Sequence, residues 1–310
     1  MHARSTLDAM RWLVLCLLAG CNWAFGLRET NLVDSPPLSE AGFRLVVPPD
    51  GATTCGALPS FGSWTSEVST SLPVVAGRTI TGMAFYETGG AQHVFLTKLD
   101  TVAGASLGVW DNDLAGTEVR LESLGPPPSG SVRAPSPTPD GEHLWFRQEA
   151  VATGTYYGSR TDGWQKQLTT LGLIDATGAA PSPVGFYNGT ARMIVLVQYV
   201  SAPPGFVEIS SADGLTWMQL ETFKLALPGS PMPIGAYLSP DGCVVIVNVQ
   251  AGVFYHFYAA VRDASGSFTG APTEIDATGY GCCPTYPAMT TDLASFWFEG
   301  SNGQIVKKHP

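Results

Sequence analysis

The chain has 310 residues, of which 14% are charged, and its formal net charge is −10. A chain of this length buries about three-quarters of the surface that its unfolded form exposes, which is enough for one large domain or two. The acidic balance argues against a nucleic-acid-binding protein, which would carry a basic surface. With 35 Gly and 24 Pro between short runs of Val, Phe, Tyr and Trp, the composition predicts an all-β fold rich in turns.

The first residues have the pattern of an export signal. Basic residues precede the apolar run 12–18, which is too short to cross a bilayer and has the length of a signal-peptide core. The run ends in Leu18-Ala19-Gly20-Cys21, which resembles the lipobox of bacterial lipoproteins. The resemblance implies that residues 1–20 are a signal peptide, that Cys21 is lipidated and that the lipid holds the protein on a membrane.

The residues after Cys21 bear on location. Asn22 at this position resembles the pattern of lipoproteins sent to the outer membrane, so the expected place is the bacterial cell envelope, in the periplasm or on the outer membrane, and the sequence leaves the leaflet open. Two alternatives stay open: an ordinary secretory signal cleaved before Gly26, and an uncleaved anchor. Residues 21–41, which include Pro36 and Pro37, predict a tether without a core of its own.

A turn followed by an apolar strand recurs through the body of the chain. Its clearest copies begin at Pro139-Asp140-Gly141 and Pro240-Asp241-Gly242, with weaker copies at Asn188 and Asp292. These four anchors are 48, 53 and 51 positions apart. A weaker turn at Gly89-Gly90 starts the series, so the pattern predicts five units.

A second turn recurs inside the units, at residues 111–113, 161–163, 212–214 and 264–266. Each is followed by a short strand pattern, at residues 117–121, 164–168, 217–220 and 273–275. Two turns per unit predict four-stranded antiparallel sheets, which are unstable alone and pack around a common axis. We therefore predict an all-β propeller of five four-stranded blades over residues 42–310, or six if residues 43–77 form more than one strand.

The last unit is too short for four strands. After Phe298 only residues 304–308 have a strand pattern, so an outer strand is missing. Residues 62–68 or residues 43–47 could supply it and close the ring from the N-terminal side, at a loop-closure cost that grows only slowly with length.

The turns Ser239-Pro240-Asp241-Gly242 and Thr138-Pro139-Asp140-Gly141, each before an apolar strand, are similar to the repeat of TolB-like propellers, also described as WD-repeat-like. The similarity covers roughly residues 78–300 and implies the fold but no activity. Residues 211–217 separately resemble the Asp-box of sialidase-like propellers, which is a structural hairpin.

Four cysteines lie in the body: Cys55, Cys243, Cys282 and Cys283. They permit three sets of two disulfides, and the sequence does not select one. Because Cys55 and the vicinal pair lie near the ends of the predicted ring, we expect a bridge from Cys55 to Cys282 or Cys283. Zinc binding by the vicinal pair is disfavoured, since no CxxC or HxxxH spacing supplies further ligands.

The side chains for catalysis are few. No GxSxG, HExxH or phosphate-binding loop occurs, and the arginines are too scattered to predict a sialidase-like cluster. His93 and His143 follow the first turn in two units, which makes them candidate channel or loop residues. The aspartates of the turns are expected to cap those turns, with Ca²⁺ binding as the alternative; they are Asp111, Asp113, Asp162 and Asp213. The tryptophans of the strands are expected to pack between sheets; they are Trp145, Trp164, Trp217 and Trp297.

These patterns predict a binding or scaffold module, because the sequence contains no recognisable set of catalytic residues. Its partner would be a protein or glycan bound by loops at one end of the propeller channel, with no metal or cofactor, and the protein would be a monomer. The alternative is a hydrolase or lyase acting on polysaccharide. That alternative requires two carboxylates, or a histidine and a carboxylate, to meet at the channel mouth.

Overall fold

The computed structural model describes residue 45 and residues 53–72, 75–124, 130–150, 154–174, 176–277, 279–280, 285–300 and 304–310. The predicted signal peptide, the tether, Cys21, Cys282 and Cys283 lie outside these residues. Within them, no helix has the length and apolar character that crossing a membrane would require. Two single turns of 3-10 helix, Phe61–Ser63 and Glu122–Leu124, accompany the strands.

The strands form five blades around a central channel, which confirms the predicted propeller. Their bounds in chain order are β1 (Thr65–Val68), β2 (Arg78–Thr88), β3 (Ala91–Asp100), β4 (Ala105–Asn112), β5 (Glu118–Arg120), β6 (Gly130–Pro137), β7 (His143–Ala150), β8 (Gly154–Ser159), β9 (Gln167–Thr169), β10 (Ala176–Pro181), β11 (Gly185–Tyr187), β12 (Thr190–Tyr199), β13 (Gly205–Ser211), β14 (Met218–Leu220), β15 (Phe223–Leu225), β16 (Met232–Leu238), β17 (Val244–Ala251), β18 (Phe254–Val261), β19 (Phe268–Gly270), β20 (Thr273–Ile275), β21 (Thr285–Met289), β22 (Phe296–Glu299) and β23 (Ile305–His309).

Each blade is an antiparallel sheet whose first strand lies innermost. The first two blades are β2 to β5 and β6 to β9. In the third blade the inner strand is divided into β10 and β11, which both pair with β12. The fourth blade is β16, β17, β18 and β20, and a small parallel pair, β15 with β19, joins its outer part to the third blade.

The fifth blade is completed by the N-terminal side of the body. Its own strands are β21, β22 and β23, and β1 pairs antiparallel with β23, from Thr65 opposite His309 to Val68 opposite Val306. Of the two predicted closing segments, residues 62–68 therefore supply the strand. The described part of residues 43–77 contributes this strand alone, so the ring has five blades and the six-bladed alternative is wrong.

The predicted turns have the conformation that their residues favour. Gly141 and Gly242 have φ of 71° and 69°, in the region that glycine tolerates best. In the second turn Val244 N–H donates to Ser239 Oγ over 2.8 Å, and in the first His143 N–H donates to Thr138 Oγ1 over 3.1 Å. The same bond joins Ser295 N–H to Thr290 Oγ1 in the fifth blade, at 3.0 Å.

The core lies between the blades. Trp145 and Trp217 meet edge to face at 5.8 Å between the second and third blades, and Phe85 lies 5.2 Å from Trp297 between the first and fifth. Trp164 is also buried and packs against Phe95 of the preceding blade. The predicted role of the four tryptophans in packing between sheets is therefore confirmed.

The disulfide is not the one expected. Cys55 is bonded to Cys243, with their Cα atoms 5.3 Å apart, so the preferred bridge from Cys55 to Cys282 or Cys283 was wrong. Cys243 directly follows the turn at Asp241-Gly242, in the fourth blade. The bridge thus fixes the segment before β1 to a blade that does not contain β1, a proximity that chain order gives no reason to expect.

Candidate functional site

The inner strands of the propeller are bent at corresponding places. A shift in pairing register interrupts the inner strand of all five blades, which is the mark of a bulge. A bulge bends a strand and redirects its side chains, and here it does so around the channel. The shifts occur between Ile80 and Gly82, Arg133 and Ser136, Ala176 and Gly178, Pro233 and Gly235, and Thr285 and Ala288.

A cavity of about 380 Å³, called here the channel-mouth cavity, lies among these bends. Every blade contributes to its lining, for example through the side chains of Met83, Arg147, Gln198, Tyr255 and Tyr286. These residues lie where inner strands begin, second strands end and third strands begin. The cavity therefore occupies the end of the channel opposite the Asp-Gly turns, and its volume falls in the range of small-molecule sites.

Proline is the dominant residue of the cavity wall. Inner strands are edge strands, and proline there removes a backbone N–H that would otherwise point to the channel without a partner. The wall is therefore apolar and offers carbonyl oxygens more than backbone N–H groups. The prolines that line it are Pro135, Pro181, Pro183, Pro204, Pro233 and Pro287.

Two residues of the wall have an unusual backbone conformation. Ala134 has φ of 51° and Tyr286 has φ of 56°, and both lie within the bulges of inner strands. The left-handed region costs a residue with a Cβ about 1–2 kcal/mol. Strain of this kind persists where the surrounding structure enforces it, and it is concentrated at functional sites.

The charged part of the wall is built on the second blade. Arg133 and Arg147 are cross-strand partners, and both reach Glu149: Arg147 Nε lies 3.1 Å from Glu149 Oε1 and Arg133 Nε 3.4 Å from Glu149 Oε2. Arg147 also donates from Nη2 to Gln198 Oε1 at 3.0 Å. Burial lowers the pKa of Arg147, while the Glu149 carboxylate opposes that effect.

These two arginines differ in accessibility. The Arg147 side chain is 9% exposed, and its Nε lies against the Glu149 carboxylate. Arg133 is 47% exposed, and its guanidinium faces the opening. Arg147 is therefore held in place, and the more exposed Arg133 is accessible to a bound molecule.

A second carboxyl group lies beside the wall in the fifth blade. Glu299 accepts from Thr79 Oγ1 at 2.6 Å and from Thr285 Oγ1 at 3.3 Å. Burial raises the pKa of Glu299, although these two hydrogen bonds oppose the shift. Burial likewise raises the pKa of Tyr286, with Arg133 acting in the opposite direction, so this phenol is a neutral donor.

The structure places the two candidate histidines away from this cavity. His93 and His143 begin second strands, which puts them beside the Asp-Gly turns at the other end of the channel. His93 Nδ1 lies 3.4 Å from Asp111 Oδ1, and His143 Nδ1 lies 2.7 Å from Tyr157 Oη. Burial lowers the pKa of His143. The two histidines occupy similar strand positions, as the repeat indicates, but they do not line the channel mouth.

Three of the four predicted turn aspartates stabilise their turns, whereas Asp111 lies in β4 and accepts from Tyr86 Oη at 2.6 Å, so its predicted turn-capping role is wrong. Asp113 Oδ1 accepts from Ala115 N–H at 2.9 Å, and Asp213 Oδ1 accepts from Leu215 N–H at 2.8 Å. Ser159 Oγ donates to Asp162 Oδ2 at 2.9 Å. Turn capping is thus observed at these positions. Across the part of the chain that the structure describes, no three His, Cys, Asp or Glu side chains come close enough to hold a metal ion.

The similarity of this chain to known proteins was found among solved structures. No protein-family model matches the sequence, and the search of curated proteins gives no match. Among solved structures, the chain is similar to TolB from Acinetobacter baumannii, with 12% identity, a TM-score of 0.41, and coverage of 76% of this chain and 69% of that one. The similarity is one of propeller fold.

Two other solved structures are similar to this chain at the same level. The gluconolactonase XC5397 from Xanthomonas campestris has 13% identity and a TM-score of 0.47, over 86% of this chain and 97% of that one. A chain of a nidogen/laminin complex has 14% identity and a TM-score of 0.44, over 73% of each chain. Similarity at this level indicates no function.

Sequence reasoning missed the paired arginines of the channel mouth. The turn pairs Pro137 with Leu144 and Ser136 with Trp145, a register that would place Arg133 opposite Gln148. The bulge between Arg133 and Ser136 shifts that register by one residue and brings Arg133 opposite Arg147. The spacing around the turn therefore does not reveal the pair, and nothing in the sequence shows that it faces the channel.

Proposed function

We propose that this protein is a lipid-anchored propeller of the bacterial cell envelope that binds a protein or glycan partner at the channel mouth. The observation that carries the proposal is the convergence of all five bulged inner strands on one cavity, with strained Ala134 and Tyr286 in its wall. Strain at two wall positions marks a surface whose shape is fixed before a ligand arrives.

The surface around the mouth supports binding of a larger partner. The loops between second and third strands lie at this end of the propeller, and those of the first, third and fourth blades carry an exposed valine. Val102 is 88% exposed, Val200 73% and Val253 69%. Apolar side chains spaced around a cavity offer contact area to a macromolecule whose tip enters the opening.

Filling the cavity tests this proposal. Ala180→Trp places a large side chain in the channel-mouth cavity, whereas Ala115→Trp places it in an exposed turn at the other end of the propeller. The full chain, solubilised in mild detergent, is used to capture partners from envelope extracts. We expect the wild type and Ala115→Trp to retain the same partner and Ala180→Trp to lose it; equal capture by all three would contradict the proposal.

The lipid anchor is tested separately. Cells making the protein are labelled with radioactive palmitate, and the wild type is compared with Cys21→Ser. Label should enter the wild type alone, because the thioether at Cys21 is the proposed attachment point. Equal labelling of the two forms would remove the anchor from the proposal and leave the channel-mouth site unaffected.

A second candidate function is hydrolysis or elimination on a polysaccharide. The observation that favours it is the presence of Glu149 in the cavity wall together with Glu299, whose pKa is raised by burial beside the cavity-lining Thr285. Glycoside hydrolysis uses two carboxyl groups, and the one that acts as general acid has a raised pKa. Activity on envelope polysaccharides that survives both Glu149→Gln and Glu299→Gln would exclude this role for the pair.

A further inference from the structure

The channel mouth combines an apolar wall with an excess of positive charge, although the chain as a whole is strongly acidic. Arg133 and Arg147 share a single carboxylate, Glu149. The other acid beside the wall, Glu299, has a raised pKa and is satisfied by two threonine hydroxyls. Glu149 neutralises only one of the two guanidinium charges, so the cavity wall carries a local positive charge in a chain whose net charge is −10.

We propose that the channel-mouth cavity binds the carboxylate group of its ligand through Arg133 and Arg147. This inference rests on the proposed binding function and names the chemistry that the ligand presents there. Arg147 provides a fixed guanidinium, held by Gln198 at 3.0 Å, and the half-exposed Arg133 provides a second one at the opening. Guanidinium groups bind carboxylates through paired, charge-assisted hydrogen bonds.

The charge balance selects a monoanion. Two arginines against Glu149 leave about one positive charge, which a single carboxylate neutralises and a phosphate dianion would exceed. The proline wall and Met83 then favour an apolar body attached to that carboxylate.

The neighbouring groups define the binding mode further. Ser131 Oγ donates to Glu149 Oε2 at 3.0 Å, so Glu149 is held in place between the arginines. A ligand carboxylate would share Arg133 and Arg147 with Glu149 and be repelled by it. Glu149 therefore limits the affinity for anions, and its neutralisation should strengthen binding of a carboxylate.

The test uses matched probes that differ only in charge at the carboxyl group. Benzoate and benzamide represent a small organic acid and its neutral counterpart, and a short peptide with a free C-terminus and its amide represent a carboxylate carried on a polypeptide. Binding to the full chain in mild detergent is followed by ligand-detected NMR at millimolar probe. We expect the acid form of at least one pair to bind and its neutral form to bind at least about tenfold more weakly.

Variants assign the effect to the residues. Arg133→Gln should weaken the acid form at least about tenfold, while Arg120→Gln, on the exposed outer strand of the first blade, should leave it unchanged. Glu149→Gln should strengthen the acid form, an effect that a merely structural role would not produce. Arg133→Lys should recover part of the loss because it restores the charge without the planar fork.

Each outcome bears on the inference. Binding of benzoate identifies a small acid as a sufficient ligand, and binding of the peptide acid alone identifies a polypeptide carboxylate as the source; both support the assignment. Equal binding of acid and neutral forms, no binding by either acid, or an unchanged Arg133→Gln overturns it. If Ala180→Trp still abolishes partner capture while Arg133→Gln changes nothing, the proposed function stands and the carboxylate assignment fails.

Discussion

At the scale of single residues, buried charge is used between blades. Arg262 and Glu208 are both fully buried and joined at 2.8 Å, and the Arg262 guanidinium lies 4.5 Å from the centre of the Tyr187 ring. Arg160 repeats this arrangement two blades earlier: it lies 3.7 Å from Asp111 and 5.7 Å from the Tyr86 ring. In both cases an arginine bonds a carboxylate and an aromatic ring of the preceding blade.

The two arginines should differ in their effect on stability. Arg262→Met leaves the buried Glu208 with Arg192, at 3.6 Å, as its cationic neighbour, and we expect a loss of about 3–5 kcal/mol in the free energy of unfolding. Arg160→Met, where the side chain is 35% exposed, should cost about 1 kcal/mol or less. Urea denaturation measures both. If adding Glu208→Gln to Arg262→Met recovers none of the loss, the unpaired carboxylate is not its cause.

Glu299 should give stability a recognisable dependence on pH. Because burial raises its pKa, the folded protein keeps a proton between the ordinary glutamate pKa and the raised one, whereas the unfolded chain has lost it. Stability is therefore greatest below this window and falls as the pH rises through it. Glu299→Gln should remove this fall from melting temperatures measured across mildly acidic pH, and Glu67→Gln, at an exposed position, should keep it.

At the scale of elements, the repeated turn does more than reverse the chain. Gly141 lies against the Tyr86 ring of the preceding blade, so a Cβ added at Gly141 would come within 2.1 Å of that ring. Gly242 lies in the same way against Tyr187, with the nearest atom at 2.8 Å. The glycine is therefore required twice, by its positive φ and by the close approach of the neighbouring blade.

Alanine substitutions should separate these two requirements. Gly141 and Gly189 have φ of 71° and 68°, but a Cβ at Gly189 would meet nothing within 4 Å. Gly189→Ala should cost about 1–2 kcal/mol, the backbone term alone. Gly141→Ala should cost clearly more, because Tyr86 is buried and stacked on Phe95 at 4.5 Å and cannot move aside. Equal losses in thermal unfolding would show that the inter-blade contact contributes nothing.

At the scale of the whole molecule, the ring is closed by a strand from the other end of the chain. β1 pairs with β23, and Glu67 lies 3.7 Å from Lys307 across that pairing. A blade that recruits a distant strand removes the two edges that an open ring would expose. The closure also brings together segments separated by most of the body, so it joins all five blades into one cooperative unit.

Proline substitutions in two outer strands test this closure. Ser66→Pro interrupts the pairing of β1 with β23, whereas Gln219→Pro interrupts β14, which pairs with β13 of its own blade. We expect Ser66→Pro to lower the melting temperature more and to make the C-terminal strands susceptible to limited proteolysis, because β1 completes the fifth blade from the other end of the chain. Similar losses in both variants would contradict the special role of the closing strand.

The sequence by itself determined the fold class, the repeat and the candidate closing segments. It could do so because turn residues and alternating apolar residues determine the conformation of neighbouring positions. Asp140, Asp241 and their neighbours therefore mark the first turn of a blade within a few residues. It left open which segment closes the ring and which cysteine bonds to Cys55. These depend on contacts between positions far apart in sequence.

The candidate site was decided by the tertiary structure. The pairing of Arg133 with Arg147 depends on the bulge in β6, and the channel they face exists only once five bulged strands are arranged around one axis. The same arrangement puts His93 and His143 at the other end of the channel. A ring brings residues together by their position along each strand, and sequence order alone does not reveal which end of the ring each residue occupies.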